Sequence, residues 1–219
     1  MKKRKKAVIV CGGNIREDFA LRCFEKNQYD YRIAADKGLL FFQKNGILPT
    51  HIVGDFDSAD ASCLERYHGM QEVVIRRFQP EKDWTDSEIA AELALELGCG
   101  HLDILGGTGS RLDHVLGNVQ LLALIQEKGG DGYLLDPNNR IYLRDESFTV
   151  SREKQWGKYV SLFAYGGDVT GLTLRGMKYP VENFTLGTVG TRGVSNEITE
   201  ETGEISFCSG KLLVIESRD

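Results

Sequence analysis

The chain has 219 residues, of which 41% are hydrophobic and 27% are charged, a composition typical of a folded globular protein and unlike that of a disordered chain. Its 27 lysines and arginines are outnumbered by 32 aspartates and glutamates, and the formal net charge of -5 excludes a general electrostatic attraction to nucleic acid or to an anionic membrane. A polyanionic substrate would therefore need a local cationic site or a metal ion.

The cysteines and the start of the chain indicate the compartment. Five cysteines are scattered along the sequence, which favours neither a disulfide framework nor a thiolate zinc site. The apolar run that follows the basic start covers only residues 7–10, too few for a signal peptide or a membrane span. We therefore expect a cytoplasmic protein with reduced cysteines and with neither a membrane nor a nucleic acid as a partner.

The first part of the chain alternates short apolar runs with helical patterns. Candidate strands cover residues 7–10, 31–34, 51–53, 72–75, 101–105 and 133–135. A helix is predicted after Thr85, because Thr85 and Glu88 have capping-box spacing and apolar residues then recur every four positions. A second helix is predicted over residues 112–128, before two glycines. Alternation of this kind predicts a mostly parallel sheet covered by helices.

The pattern changes after residues 136–139. Short apolar runs at residues 140–143, 159–163, 169–174 and 211–215 are then separated by glycine-rich turns, which is typical of an antiparallel β domain, here a small sandwich. The expected fold is thus an α/β N-terminal domain with a mostly parallel sheet over residues 1–138, plus a smaller all-β sandwich C-terminal domain over residues 139–219.

Two acidic segments follow predicted strands. Asp55 and Asp57 come directly after the strand at residues 51–53, and alternate side chains of an extended chain share a face, so both carboxylates can converge on one divalent cation. Lys82, Asp83 and Asp86 surround the predicted helix start, where they could serve a metal ion and a phosphate. An acidic turn and an ordinary helix cap are the structural alternatives.

The third segment is the glycine-rich stretch at residues 106–109, which is followed by Arg111. Glycines let backbone N–H groups approach an anion at a helix start, and Arg111 supplies a charged fork. The pattern lacks the lysine of a Walker loop. Because all three segments end predicted strands of one sheet, they indicate together a metal–nucleotide site for phosphoryl or diphosphoryl transfer.

In this order the segments 54–58, 83–86 and 106–114 resemble the signature of the thiamine pyrophosphokinases. Residues 35–38 and 193–197 fit the same pattern, although the family often has glycine where Lys37 stands. The resemblance implies a homodimer that binds thiamine and ATP, with active sites at the subunit interface. It also implies three groups of site residues: Asp55, Asp57 and Asp86 as catalytic ligands of Mg2+; Lys82, Thr85, Arg111 and Asp113 for ATP; Asp36, Ser195 and Asn196 for thiamine.

The implied reaction is the attack of the thiamine hydroxyl on the β-phosphorus of ATP, which yields thiamine diphosphate and AMP. Either Asp57 or Asp86 could accept the hydroxyl proton, and the sequence does not choose between them. Two alternatives stay open: a related diphosphotransferase acting on a pterin, and a non-catalytic sensor of thiamine diphosphate. The Ser195–Asn196 pair disfavours the former by resemblance, and the three aspartates disfavour the latter.

Overall fold

The computed structural model describes residues 4–55, 64–77, 84–109 and 111–219. The chain divides into two compact units, Met1–Pro137 and Asn138–Asp219, called unit 1 and unit 2 below. None of the helices in the described residues has the length and hydrophobicity that a membrane span requires.

Unit 1 contains a parallel sheet, as the alternating pattern predicts. Its strands are β1 (Lys5–Val10), β2 (Tyr31–Ala35), β3 (His51–Gly54), β4 (Val74–Arg77), β5 (Cys99–Leu105) and β6 (Asp131–Leu135). They lie in the order β6-β5-β1-β2-β3-β4, and every neighbouring pair is parallel. The chain moves from β1 to β4 on one side and returns to β5 on the other. The topological switch point, where open α/β sheets bind ligands, therefore lies between β1 and β5.

The described part of unit 1 includes the helices α1 (Glu17–Lys26), α2 (Leu39–Lys44), α3 (Asp86–Glu96) and α4 (Leu112–Glu127), with a 3-10 turn at Asp36–Gly38. Both predicted helices are present. Thr85 caps α3, since its hydroxyl accepts a hydrogen bond from the Glu88 backbone N–H at 3.3 Å. The predicted strand at residues 72–75 is displaced by two residues toward the C-terminus, because Glu72 and Val73 belong to the preceding turn.

Unit 2 is entirely β, which confirms the predicted sandwich. Its strands are β7 (Asn139–Arg144), β8 (Phe148–Ser151), β9 (Tyr159–Ala164), β10 (Val169–Arg175), β11 (Val181–Leu186), β12 (Asn196–Glu197), β13 (Thr202–Ser206) and β14 (Leu212–Ser217). They form two antiparallel groups, β12-β9-β14-β7 and β11-β10-β13-β8. Four of these strands escape the sequence patterns, and β11 shows why: only its last residue is buried, so little apolar periodicity marks it.

A buried carboxylate organises one end of unit 2. The Glu216 side chain is fully buried and accepts hydrogen bonds from Nε and Nη2 of Arg140, at 3.1 and 2.6 Å. The Tyr142 hydroxyl donates to the same carboxylate at 2.8 Å, and the Trp156 backbone N–H donates at 2.7 Å. Four donors thus compensate one buried negative charge, as a buried ion requires.

Candidate functional site

A cleft of about 400 Å³ opens at the carboxyl end of the parallel sheet of unit 1. We call it the N-terminal cleft. It is lined by the loops that follow β1, β2 and β5 and by the first residues of α3 and α4. Two of those loops flank the switch point between β1 and β5, which is the position where such sheets bind nucleotides and other ligands.

Two glycine turns form one wall of the N-terminal cleft by close backbone packing. A Cβ atom on Gly13 would lie 2.3 Å from the Gly106 carbonyl oxygen, and one on Gly109 would lie 2.7 Å from the Asn14 backbone nitrogen. Gly106 also has a left-handed φ of 71°. No side chain fits between these turns, so glycine is required here for steric reasons.

The buried Asn118 side chain, on α4, holds the second glycine turn. Its amide nitrogen donates to the Gly107 carbonyl oxygen at 2.8 Å, and only 7% of the residue is exposed. Sequence patterns point to the glycines of residues 106–109 but not to Gly12, Gly13 or Asn118. The glycine pair directly after β1 was the available signal for the first turn, whereas no local pattern marks Asn118.

Three of the predicted acidic residues interact at this edge of the sheet. Asp36 lines the N-terminal cleft, and burial raises its pKa above the ordinary value, although the Lys37 backbone N–H opposes the shift. The Asp86 and Asp55 carboxylates contribute to the rise, so each of them lies close enough to Asp36 to repel its negative charge. Asp57, the remaining predicted ligand of Mg2+, lies outside the described residues.

The charge of this acidic group fits a divalent cation. Oxygen donors are the ligands that Mg2+ prefers, and a cation would relieve the carboxylate repulsion that adds to the effect of burial on the Asp36 pKa. Within the described residues no group of three or more ligating side chains has the geometry of a formed metal site. Asp57 and Asp83 lie outside the described residues.

Arg111 and Asp113 form a bidentate ion pair at the start of α4. Arg111 Nε lies 3.1 Å from Asp113 Oδ1, and Nη2 lies 2.5 Å from Oδ2. The hydrogen bonds from Arg111 lower the pKa of Asp113 to about 2, and the His114 backbone N–H assists them. Both side chains are largely exposed. This geometry favours a role for Asp113 in orienting the Arg111 guanidinium. Direct contact between the Asp113 carboxylate and a phosphate is disfavoured, because the two negative charges repel each other.

The remaining ATP-site predictions fall around α3. Thr85 lines the N-terminal cleft, but its hydroxyl oxygen already accepts the capping hydrogen bond. Lys82 lies outside the described residues. Cys11 also lines the cleft, yet burial raises its pKa to about 12, which outweighs a hydrogen bond with Ser87. The Cys11 thiol is therefore protonated at neutral pH and unsuited to nucleophilic catalysis.

In unit 2 the predicted thiamine residues lie in a tightly held turn. Ser195 has a left-handed φ of 58°, and its backbone N–H donates to the Ser161 hydroxyl at 2.9 Å. The buried Asn196 amide accepts from the Tyr179 backbone N–H and donates to the Tyr179 carbonyl oxygen, at 3.0 and 2.9 Å. It also accepts from the Glu197 N–H at 2.9 Å. Most of the Asn196 hydrogen-bonding capacity thus fixes the backbone.

The two predicted thiamine residues Asp36 and Ser195 share an unusual backbone conformation. They are two of the three non-glycine residues with positive φ in the described part of the chain. Such conformations cost about 1–3 kcal/mol each and cluster at functional sites. Asn196 also borders a pocket of about 440 Å³ within unit 2, whose walls are mostly apolar.

Comparisons with known proteins agree with this architecture. The model for the catalytic domain of thiamin pyrophosphokinase matches residues 24–131, and the model for its vitamin B1 binding domain matches residues 146–212. A thiamine pyrophosphokinase of Bacillus subtilis is 34% identical over 187 residues, which cover 85% of this chain and 87% of the relative.

Solved structures give the same result. The crystal structure of thiamine pyrophosphokinase from Bacillus subtilis superimposes with a TM-score of 0.84 at 31% identity, covering 98% of this chain and all of that one. The enzyme from Geobacillus thermodenitrificans gives a TM-score of 0.81 at 29% identity, covering 98% of both chains. Fold, cleft and relatives together define a transferase of the kinase class. The chain belongs to the thiamine pyrophosphokinase family, whose reaction forms thiamine diphosphate.

Proposed function

We propose that this protein transfers the β,γ-diphosphate of ATP to the hydroxyl group of thiamine in a Mg2+-dependent reaction and releases AMP. The observation that carries the proposal is the lining of the N-terminal cleft, which brings the Asp36 and Asp86 carboxylates together with two glycine turns and Arg111, while the Asp55 carboxylate lies near enough to raise the pKa of Asp36. A polyphosphate needs a cation and backbone donors, and this cleft combines acids able to hold the cation with those donors.

Asp55, Asp57 and Asp86 would hold the metal ion. When bound, Mg2+ would neutralise the phosphate oxygens of ATP and favour attack at phosphorus. Asp57 or Asp86 would accept the proton of the thiamine hydroxyl, a step for which the carboxylate has to lie within hydrogen-bond reach of that oxygen. No nucleophilic side chain is needed, which agrees with the protonated, buried Cys11.

ATP would be bound by Lys82, Thr85, Arg111 and Asp113, together with the glycine turns. Backbone N–H groups at the start of α4 provide partial positive charge for the phosphates. Arg111 would place its guanidinium against a phosphate oxygen, and Asp113 would restrict that guanidinium to one orientation through the ion pair already formed.

Thiamine would be bound by Asp36, Ser195 and Asn196. The Asp36 carboxylate and the Ser195 hydroxyl can pair with an aminopyrimidine, whereas Asn196 has one amide N–H beyond its three backbone contacts. On this assignment residues 1–138 form the ATP- and metal-binding domain and residues 139–219 the thiamine-binding domain.

The active form would be a cytoplasmic homodimer with active sites at the subunit interface. Leu112 and Leu116 support a partner near the N-terminal cleft, because they lie one turn apart on α4 and are 78% and 66% exposed. Neighbouring exposed leucines are typical of a surface that another chain covers. Free Cys11, Cys23 and Cys99 agree with a reducing compartment.

The test is incubation of the purified protein with ATP, Mg2+ and thiamine, with separate measurement of AMP, ADP and thiamine diphosphate. We expect AMP and thiamine diphosphate in equal amounts. Release of ADP would instead indicate transfer of a single phosphate. Turnover of a hydroxymethyl pterin in place of thiamine, or binding of thiamine diphosphate without any turnover, would also refute the proposal.

Asp57→Asn tests the catalytic acids. We expect turnover to fall by a factor of about 100 or more, because a metal ligand and a candidate proton acceptor are lost together. Asp219→Asn at the exposed C-terminus is the matched control and should leave turnover unchanged. Normal turnover by the Asp57 variant would remove that residue from the mechanism.

A further inference from the structure

We infer that the ammonium group of Lys37 binds the polyphosphate of the nucleotide, an inference that rests on the proposed function of the N-terminal cleft. The family pattern often has glycine, which carries no side chain, at this position. The inference therefore concerns a contact that this chain adds to the common site.

The backbone around Lys37 is held firmly at the carboxyl end of the sheet. Lys37 is the middle residue of the 3-10 turn Asp36–Gly38, directly after β2. A Cβ atom on the next residue, Gly38, would lie 1.8 Å from the Val10 carbonyl oxygen, so this turn rests on the end of β1. The lysine is consequently fixed beside the switch point, although its own side chain is exposed.

The Lys37 side chain contributes to the wall of the N-terminal cleft. It is among the residues that line the cleft, and its Cβ lies 3.0 Å from the point that a Cβ on Gly12 would occupy. The stem of the lysine therefore occupies space that the glycine turn after β1 leaves open. A side chain that starts at this wall can reach a phosphate bound over the glycine turns.

Charge balance distinguishes Lys37 from Arg111. Among the charged residues of the described cleft lining, Asp36 and Asp86 are acidic, and Lys37 and Arg111 are basic. Arg111 is already engaged by the Asp113 carboxylate. Within the described residues Lys37 makes no salt bridge or side-chain hydrogen bond, although its positive charge acts to lower the pKa of Asp36. No described side chain thus occupies its ammonium donors, which can bind an incoming anion.

The same charge decides which of the two substrates Lys37 favours. Thiamine carries a positive thiazolium ring, which an ammonium group repels, whereas ATP carries several negative charges on its phosphates. AMP has a single phosphate and lacks the β and γ groups. If Lys37 contacts the polyphosphate, its loss should weaken the binding of ATP much more than the binding of AMP or thiamine.

The experiment measures binding of Mg-ATP and of AMP by calorimetry, without thiamine, to the full chain and to four variants. Lys37→Gln and Lys37→Gly remove the charge, Lys37→Arg keeps it, and Lys26→Gln removes a lysine from the exposed end of α1. For Lys37→Gln and Lys37→Gly we expect ATP affinity to fall about tenfold, the value of one charge-assisted contact in a partly exposed site. Lys37→Arg should stay within about threefold of the parent protein.

Two further readouts separate binding from a structural effect. The affinity for AMP and the KM for thiamine should change less than about twofold in Lys37→Gln, because neither depends on the polyphosphate contact. The dependence of ATP affinity on salt concentration should also become shallower in this variant, since one ionic contact is lost.

The outcomes distinguish this inference from the proposed function. ATP binding by Lys37→Gln at the strength of the parent protein, or an equal loss in Lys26→Gln, would overturn the role of Lys37 alone. Charge-dependent ATP binding without formation of thiamine diphosphate would overturn the proposed reaction and leave Lys37 as a phosphate-binding residue. A parent protein that binds no ATP would overturn both.

Discussion

Asn118→Leu removes the side-chain donor that holds the glycine turn after β5. The substitution keeps the approximate volume of the side chain but leaves the buried Gly107 carbonyl oxygen without its 2.8 Å hydrogen bond. An unsatisfied buried carbonyl costs about 1–3 kcal/mol. In a unit of this size we expect the midpoint of thermal unfolding to fall by roughly 3–12 °C.

The same change should weaken ATP binding, because the turn that Asn118 holds also lines the N-terminal cleft. A turn that has lost its anchor has to be ordered again when the phosphates bind, and we expect a loss of about tenfold in affinity for Mg-ATP. The assays are thermal unfolding followed by circular dichroism and calorimetric titration with Mg-ATP at a temperature well below both midpoints.

Asn27→Leu is the matched control. Its amide makes a similar contact, donating to the Cys23 carbonyl oxygen at 3.0 Å, but it lies at the end of α1 and does not line the cleft. The Asn27→Leu substitution should lower the midpoint of thermal unfolding without changing the affinity for Mg-ATP. If Asn118→Leu were less stable but bound ATP normally, Asn118 would be a purely structural residue. If neither property changed, the reasoning from the buried hydrogen bond would be refuted.

Three further predictions concern separate parts of the molecule. Gly13→Ala would place a Cβ atom 2.3 Å from a carbonyl oxygen of the facing glycine turn, and the displaced wall should lower turnover roughly 100-fold; wild-type turnover would contradict the packing described. Glu216→Ala leaves the Arg140 guanidinium, which is 26% exposed, without its carboxylate. The free energy of unfolding, measured in urea, should fall by about 3–5 kcal/mol. A loss below about 1 kcal/mol would show that the pair contributes no more than a solvent-exposed ion pair. Arg111 lowers the pKa of Asp113 to about 2, so the ionised pair is complete above about pH 4, the ordinary aspartate value, and is lost as the pH falls through about 2. In an NMR titration Arg111→Gln should raise the Asp113 midpoint toward the ordinary value, and an unchanged midpoint would exclude the pair in solution.

Local sequence determined the fold class of this protein. The alternation of apolar runs with helical periods predicts a parallel sheet, because helical crossovers are the usual connection between parallel neighbours. The Thr85 cap and the glycines after residue 128 set the ends of two helices through contacts within a few residues. The ordered motifs also sufficed to indicate the family. Asp57 and Lys82, which lie outside the described residues, stay predictions.

Tertiary structure alone decided how the N-terminal cleft is built. The sheet order sets β1 beside β5, and only then do Gly13 and Gly106 meet, 93 positions apart along the chain. The Asn118 hydrogen bond and the surroundings of the Lys37 side chain likewise depend on which groups lie nearby in space. Periodicity records the face that a residue turns to the core, but it contains no information on the partner that a polar group finds there.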